Sequence, residues 1–412
     1  MLSGIAQVAR SYIRIKGPEA SKFLNGLITT RLLPNVVKKK QHTISASENR
    51  HLELLNVDLS KNWGLMLEDI YDPENRIWIR RDGLNSMILN SKGRVVQDCF
   101  LYATPFHSPV PPEPSYLVEV DPKYKSQMLS LFKIHRLSAD VKIEDASSMS
   151  SYYYFNDTPE FEDFLEELQS TYFDTFDTDS ALQNANEFIS REEIFDSSAA
   201  SNIVGFAFDN RIPNFGLKVV TTQPVDPLLL FSQQFKDKFS VEVTDEKAIT
   251  QRRFANGLFE YGDAPKGTSL LPFEMNLDYV NGLSLDKGCY VGQELTIRTF
   301  NGGVIRKRIF PVHLACGKDV SGVFSGVDLN EVSIAYENES ETAQPATVGS
   351  SPFASTGKVG RRGKVAKLLA VEENLGFLLA SVDDVQQGKT FQCVVGDTTV
   401  LIRPSIPDWW PE

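Results

Sequence analysis

The sequence predicts an α+β fold of two or three domains, the last of which is a small β-barrel. The chain has 412 residues, more than a single hydrophobic core usually serves. In its first part, segments with a helical apolar stripe alternate with short strand-like runs. From Val304 onward, short β-rich runs recur between turns that contain glycine, a pattern typical of a small barrel.

The N-terminal elements begin with a strand-like run at residues 12–15. Pro18 and Glu19 then favour a helix start, because proline fits the first turn and an acidic side chain complements the helix dipole. The apolar stripe of this helix consists of Phe23, Leu24, Leu27 and Ile28. The pattern predicts a short amphipathic helix that packs on a core.

Further along, a turn at residues 90–93 separates two apolar runs and predicts a β-hairpin, whose second strand continues to Cys99. A helix is expected from about Lys123, with Met128, Leu131 and Phe132 on one face, and an alternating strand at 141–143 follows it.

Three polar segments are predicted to be insertions or loops. Residues 38–75 are irregular and predict a surface insertion, and residues 337–357 predict a mobile loop. Residues 146–200 contain thirteen acidic residues and one basic residue, Arg191, and this excess of acid accounts for the whole formal net charge of -12. Although Phe161, Phe164, Leu165 and Leu168 have helical spacing, this charge favours a solvated insertion. Deleting residues 155–195 should then leave function intact.

Composition excludes several classes of protein. No stretch has the roughly 18 consecutive apolar residues of a membrane span, and no concentrated basic face suits nucleic acid. Four cysteines without a CxxC pair favour a reducing compartment. The N-terminal stretch contains Arg10, Arg14 and Lys16 and no acidic residue before Glu19, a composition weakly like that of a mitochondrial presequence. Because strand-like residues begin at Tyr12, a transit peptide is expected to be very short or already removed.

The segment Lys287–Glu294 carries the chemistry. Gly288 and Gly292 flank Cys289 and permit turns that expose its thiol. Lys287 adds positive charge, which favours the thiolate, the form that binds iron, copper or zinc and acts as a nucleophile. A buried structural cysteine is the alternative.

The other cysteines fit structural roles better. Cys99 and Cys393 lie among alternating apolar residues and are predicted to be core. Cys316 follows His313 by three positions, a weak signal for a metal site without further ligands. No P-loop, GxGxxG or Ser/His/Asp motif occurs, so nucleotidase, Rossmann and hydrolase interpretations lack local support.

The run 285–310 closely resembles the K-G-C-Y-x-G-Q-E signature of the YgfZ-type proteins, a branch of the superfamily of glycine-cleavage aminomethyltransferases. Agreement extends in order to residues 17–26, 90–95, 209–213 and 272–277. The resemblance implies an aminomethyltransferase-like, folate-binding-type region at 1–300 and a β-barrel domain at 301–412. It also implies iron-sulfur cluster assembly in the mitochondrial matrix.

For the site, the resemblance implies that Cys289 is a ligand of an iron-sulfur cluster and that no residue is catalytic. Clusters normally take four protein ligands, so an A-type scaffold protein is expected to supply the others. The residues expected around the cofactor are Lys287, Gly288, Tyr290, Gly292, Gln293, Glu294 and Asp98.

Two alternatives stay open. A tetrahydrofolate-dependent transferase is one, but the R-x-E-A-G run whose carboxylate holds folate in the transferases is Arg253-Phe254-Ala255-Asn256-Gly257 here. The transferases also carry a pair of acidic residues after the glycine-containing hairpin, whereas this sequence has Gln97-Asp98, with one acid of the pair missing. Folate is therefore expected to bind weakly or not at all. The other alternative is a redox protein with Cys289 as nucleophile, although no resolving cysteine lies close in sequence.

Overall fold

The computed structural model describes residues 3–33, 58, 60–68, 77–285, 287–337 and 365–411. The chain divides into two compact units. The first comprises Met1–Thr250, Ser269–Gly303 and Pro411–Glu412, and the second comprises Gln251–Thr268 and Val304–Trp410. The predicted domain limits of 1–300 and 301–412 stay predictions.

The described part of the first unit forms three antiparallel sheets. Their strands are β1 (Ser3–Val8), β2 (Ser11–Lys16), β3 (Leu65–Glu68), β4 (Ile77–Arg80), β5 (Leu84–Leu89), β6 (Val95–Ala103), β7 (Ser115–Val120), β8 (Lys142–Asp145), β9 (Ser150–Asn156), β10 (Ile203–Phe208) and β11 (Leu217–Thr221). One sheet has the order β5-β6-β7-β2-β8, another β1-β9-β11-β10, and β3 pairs with β4. The predicted strand at 12–15 lies within β2, and the predicted strand at 141–143 overlaps β8 at residues 142–143.

The α-helices of the described residues are mostly short. They are α1 (Ala20–Asn25), α2 (Lys125–His135), α3 (Pro159–Leu168), α4 (Thr178–Ser190), α5 (Ser197–Ala200), α6 (Gln233–Lys238), α7 (Glu246–Ala255), α8 (Gln293–Asn301), α9 (Val320–Phe324) and α10 (Val382–Gln386). All four residues of the predicted stripe are buried, but α1 ends at Asn25, so Leu27 and Ile28 lie just after the helix. In α2, Met128 and Phe132 are buried and Leu131 is half-buried, which confirms the predicted apolar face. Within the described ranges, none of these helices has the length and apolar character needed to cross a membrane.

The predicted hairpin is formed by β5 and β6. The Asn90 amide donates to the Arg94 carbonyl at 2.9 Å, and Gly93 has a φ of +70°. A positive φ is the conformation that glycine adopts without steric cost, which explains its place in this turn. The Asn90 side chain accepts hydrogen bonds from the amides of Lys92 and Arg94, and these fix the turn.

A buried charge network links the two larger sheets. Glu119 on β7 accepts hydrogen bonds from Tyr102 on β6 and from Lys218 on β11, each at 2.7 Å. Although burial raises the pKa of Glu119, the nearby positive charges of Lys218 and Arg10 outweigh burial and hold that pKa below its usual value. The carboxylate therefore stays ionised within the core.

The prediction that residues 146–200 form a solvated insertion is wrong. They contribute β9 and helices α3, α4 and α5. The apolar residues of α3 enter a core together with β9, β10 and β11, and they are Phe161, Phe164, Leu165 and Leu168. Its acidic residues Glu162 and Asp163 face solvent. On α3 the acidic side chains and the buried apolar side chains occupy different faces of an amphipathic helix, and a count over the whole segment hides that periodicity.

The other two predicted loops fall largely outside the described residues. Of the segment 38–75, residues 58 and 60–68 are described, and the predicted surface location is wrong for residues 62–66, where Trp63, Leu65 and Met66 are buried. Of the predicted loop 337–357, the structure describes Glu337 alone.

The second unit contains a six-stranded antiparallel sheet. Its strands are β12 (Lys307–Ala315), β13 (Ile334–Tyr336), β14 (Lys367–Glu372), β15 (Leu375–Ser381), β16 (Phe391–Val395) and β17 (Thr398–Pro404), in the order β13-β16-β17-β12-β15-β14. Phe310, Leu378 and Phe391 lie in its core. This half-barrel confirms the predicted C-terminal fold class.

Candidate functional site

The segment that leads to Cys289 is fixed to the chain that follows α1. The Thr29 hydroxyl donates to the Gly282 carbonyl at 2.6 Å, and the Ser284 amide donates to the Thr29 carbonyl at 3.1 Å. In return, the Arg31 amide donates to the Ser284 hydroxyl at 2.7 Å. These bonds set the position of the segment before the signature residues begin.

Lys287 points into the protein and is 6% exposed. Its ammonium group donates to the carbonyl oxygens of Asn25, Ile28 and Thr30 at 2.7, 2.7 and 3.0 Å. An ammonium has three protons, and all three are taken by these carbonyls. The ammonium is therefore engaged by backbone oxygens inside the protein, and the expectation that Lys287 lies around the cofactor stays a prediction. Burial lowers the pKa of Lys287 to about 7.

Residues 287–290 form what we call the cysteine arch, with two buried ends and an exposed middle. Lys287 and Tyr290 are buried, whereas Gly288 and Cys289 are exposed. The Lys287 ammonium lies 4.7 Å from the centre of the Tyr290 ring, so the two buried ends contact each other by a cation–π interaction. A side chain at Gly288 would meet no atom within 4 Å. The arch thus presents the Cys289 thiol to solvent, as predicted.

Beyond the arch, Gly292 packs against the β5–β6 hairpin. It has a φ of +82°, and a Cβ built there would lie 2.8 Å from the Leu89 Cβ, with the Asn90 carbonyl oxygen closer still. Across the contact, a Cβ at Gly93 would lie 2.8 Å from the Leu295 Cβ. Both positions require glycine because two backbones meet there.

Helix α8 begins directly after Gly292. The Gln293 side-chain oxygen accepts a hydrogen bond from the Tyr290 amide at 3.4 Å, and the Gln293 amide donates to the Tyr290 carbonyl at 3.3 Å. Glu294 is exposed and pairs with Arg298 at 2.6 Å, four residues on. Gln293 therefore supports the arch from within, whereas Glu294 lies on the surface.

Asp98 belongs to a different element, strand β6. Its carboxylate accepts a hydrogen bond from the Gln97 amide group at 2.7 Å. The structure thus brings Lys287, Tyr290 and Gln293 together under Cys289, and it places Asp98 on a strand of the five-stranded sheet.

The remaining cysteines match their predicted roles. Cys99 and Cys393 are buried, and burial raises the pKa of both thiols, that of Cys393 to about 11. Cys316 is half-buried and donates to the Lys318 carbonyl, and His313 is hydrogen-bonded to Asn374 at 2.8 Å. Among the residues that the structure describes, no group of three or more His, Cys, Asp or Glu could hold a metal ion.

The run 253–257 of the second unit has a structural role. Arg253 donates to both carboxylate oxygens of Asp263, at 2.6 and 2.8 Å, and to the Leu258 carbonyl. Ala255 is the exposed last residue of α7. A methyl group cannot accept the hydrogen bonds for which the transferases use a carboxylate at this place.

Relatives of known name cover the whole chain. A protein from Debaryomyces hansenii, named iron-sulfur cluster assembly factor IBA57 homolog, mitochondrial, is 48% identical, and the similarity covers 100% of this chain and 99% of that protein. A protein of the same name from Candida albicans is 48% identical and covers 99% of this chain and 98% of its own length. The chain belongs to the IBA57 family. No protein-family model matches it.

The fold of this IBA57-family chain is similar to a solved structure. The glycine cleavage system aminomethyltransferase T from Bartonella henselae matches it with a TM-score of 0.53 at 10% identity, covering 98% of this chain and 86% of that one. At so low an identity the likeness shows the fold alone. The predicted aminomethyltransferase-like fold is thereby confirmed.

The two glycines of the signature should respond oppositely to substitution. We expect Gly292→Ala to lower the free energy of unfolding by roughly 1–3 kcal/mol, because alanine is strained at positive φ and its Cβ overlaps the hairpin. Gly288→Ala, which meets open space, should change it by less than about 0.5 kcal/mol. Urea unfolding of both variants tests this, and equal destabilisation would contradict the packing described.

Proposed function

We propose that this chain is an assembly factor for mitochondrial iron-sulfur proteins and that Cys289 is a ligand of a cluster shared with an A-type scaffold protein. The observation that carries the proposal is the exposed thiol of Cys289 on an arch whose ends are buried. The printed names of the relatives support both the assembly role and a mitochondrial location. The resemblance to the YgfZ-type proteins supports the mitochondrial matrix as the compartment.

Ligand number supports a shared cluster. An iron-sulfur cluster normally takes four protein ligands. Cys289 is the one exposed cysteine on the chain, since Cys99 and Cys393 are buried and Cys316 is half-buried. A cysteine-bearing partner would complete the coordination, and the cluster would form where the two proteins meet.

The surroundings of Cys289 suit a transient ligand. Gly288 has open space on its side-chain position, which leaves room for a cluster and a partner. Tyr290 and Gln293 hold the arch from below, and Gly292 fixes it to the hairpin. Glu294 lies on the surface with its ion pair to Arg298 and is available to a partner. Asp98 stays among the residues proposed around the cofactor.

Anaerobic reconstitution tests the proposal. The chain is mixed with an A-type scaffold, ferrous iron and sulfide, and the products are separated by size-exclusion chromatography with visible absorption recorded across the elution. A complex that elutes larger than either protein and carries cluster absorption supports the proposal. A cluster that elutes with the scaffold alone would contradict it.

A second candidate function is tetrahydrofolate-dependent transfer of an aminomethyl or one-carbon group, which the aminomethyltransferase-like fold leaves open. We expect calorimetry to show weak tetrahydrofolate binding or none, because Ala255 replaces the acid that would bind the pterin. Tight, stoichiometric binding would revive the transferase hypothesis.

A further inference from the structure

Within the part of the chain that the structure describes, the hydrogen-bond partners of the buried Lys287 amine are all backbone carbonyls. Its three acceptors, Asn25, Ile28 and Thr30, lie at the end of α1 and in the turn after it. Burial of an ammonium group is costly unless every proton is hydrogen-bonded, and here each proton has one acceptor. The side chain therefore has one favourable position, which is set by a part of the chain far away in sequence.

The exposed part of the arch has little other support. Between the buried ends there are two residues, Gly288 and Cys289, and a Cβ at Gly288 would contact nothing. On one side the arch is held by the Lys287 ammonium. On the other side it is held by the hydrogen bonds between Tyr290 and Gln293 and by the Val291 amide, which donates to the Gly26 carbonyl at 3.1 Å. The Lys287 ammonium and the Val291 amide both attach to the same segment, residues 25–30. The direction of the Cys289 thiol thus depends on how firmly the arch is attached there.

We propose that Lys287 is a positioning residue, which holds the cysteine arch against residues 25–30 so that the Cys289 sulfur keeps one orientation toward an incoming cluster. This inference rests on the proposed function in one respect, which is that the group bound by Cys289 is an iron-sulfur cluster. Lys287 itself does not touch that ligand, because its three protons are engaged inside the protein.

Arg81 provides a matched control. It is 1% exposed, and its guanidinium donates to the carbonyls of Phe106 at 2.8 Å, Asn62 at 2.7 Å and Pro105. Like Lys287, it is a buried cation held by backbone oxygens. Lys287→Met and Arg81→Met both remove such a cation and leave three carbonyls without a donor. Only Lys287 belongs to the arch.

The test places a nitroxide spin label on Cys289 in a Cys316→Ser background, where the other cysteines are buried. We expect an ordered label with Lys287 present, a predominantly mobile label in Lys287→Met, and an ordered label in Arg81→Met. Without the label, Lys287→Met should form the shared cluster with an A-type scaffold about 10-fold to 100-fold less well, as is usual when the support of a metal ligand is removed. Urea unfolding confirms that each variant is folded.

An ordered label in folded Lys287→Met overturns the positioning role, as does equal mobility in Arg81→Met. If Lys287→Met does not fold, Lys287→Gln is used instead, because its amide group can still donate to some of the three carbonyls. The label on Cys289 should then show intermediate mobility. A label as ordered as in the unsubstituted protein would overturn the positioning role as well. The proposed function fails differently. A mobile label in Lys287→Met, together with no shared cluster in the unsubstituted protein, supports the positioning role and refutes shared ligation.

Discussion

Cys289→Ala is expected to abolish the shared cluster while leaving the protein folded. Because the thiol is exposed and makes no hydrogen bond to any residue that the structure describes, its loss should change the free energy of unfolding by less than about 0.5 kcal/mol. Cluster formation with the scaffold should fall to background, since one of the four ligands is gone. In cells, maturation of mitochondrial [4Fe-4S] enzymes should fail in parallel.

Cys316→Ala is the matched control for that variant. It removes a second, half-buried thiol in the other unit and should leave cluster formation unchanged. Visible absorption of the anaerobic complex and the activity of [4Fe-4S] enzymes in cells are the two measurements. If Cys289→Ala unfolds the protein, the thiol is structural, and if it forms the cluster normally, another residue is the ligand.

The second large effect is expected in the core formed by the acidic segment. Phe161 on α3 lies with its ring centre 5.4 Å from that of Tyr154 and 5.2 Å from that of Phe239. Phe161→Ala should lower the free energy of unfolding by about 3–5 kcal/mol, the range for a large aromatic side chain removed from a packed core. For the same reason, deletion of residues 155–195 should leave the first unit unfolded, opposite to what the charge count suggests.

Glu162→Ala provides the control, because this neighbouring side chain faces solvent. It should change the free energy of unfolding by less than about 0.5 kcal/mol. Urea unfolding followed by near-ultraviolet circular dichroism measures both variants. A deletion variant that folds and matures [4Fe-4S] enzymes normally would show that the segment is dispensable.

Much of the fold could be predicted where one local pattern decides the structure. The stripe Phe23, Leu24, Leu27 and Ile28 and the glycine-containing turn at 90–93 each determine their element, and the structure contains both. The acidic segment shows where this fails. A net charge over fifty residues describes the segment as a whole, whereas buried positions on a helix recur every three or four residues. Phe161, Phe164 and Leu165 occupy such positions.

The exposed thiol of the site could be predicted from the sequence, but the residues that hold it in place could not. Glycines around Cys289 indicated exposure, and the thiol is exposed. The role of Lys287 could not be derived, since its acceptors are backbone carbonyls of Asn25, Ile28 and Thr30, and a carbonyl has no signature in a sequence. Folding brings these groups together across more than half of the chain.

X-ray absorption of a selenium atom at position 289 tests directly whether this residue binds iron. Selenocysteine is incorporated only at position 289, the complex with an A-type scaffold is reconstituted anaerobically, and X-ray absorption is recorded at the selenium edge. We expect iron among the nearest neighbours of selenium when the cluster is present and not before. A cluster-loaded complex whose selenium has no iron neighbour would contradict the claim.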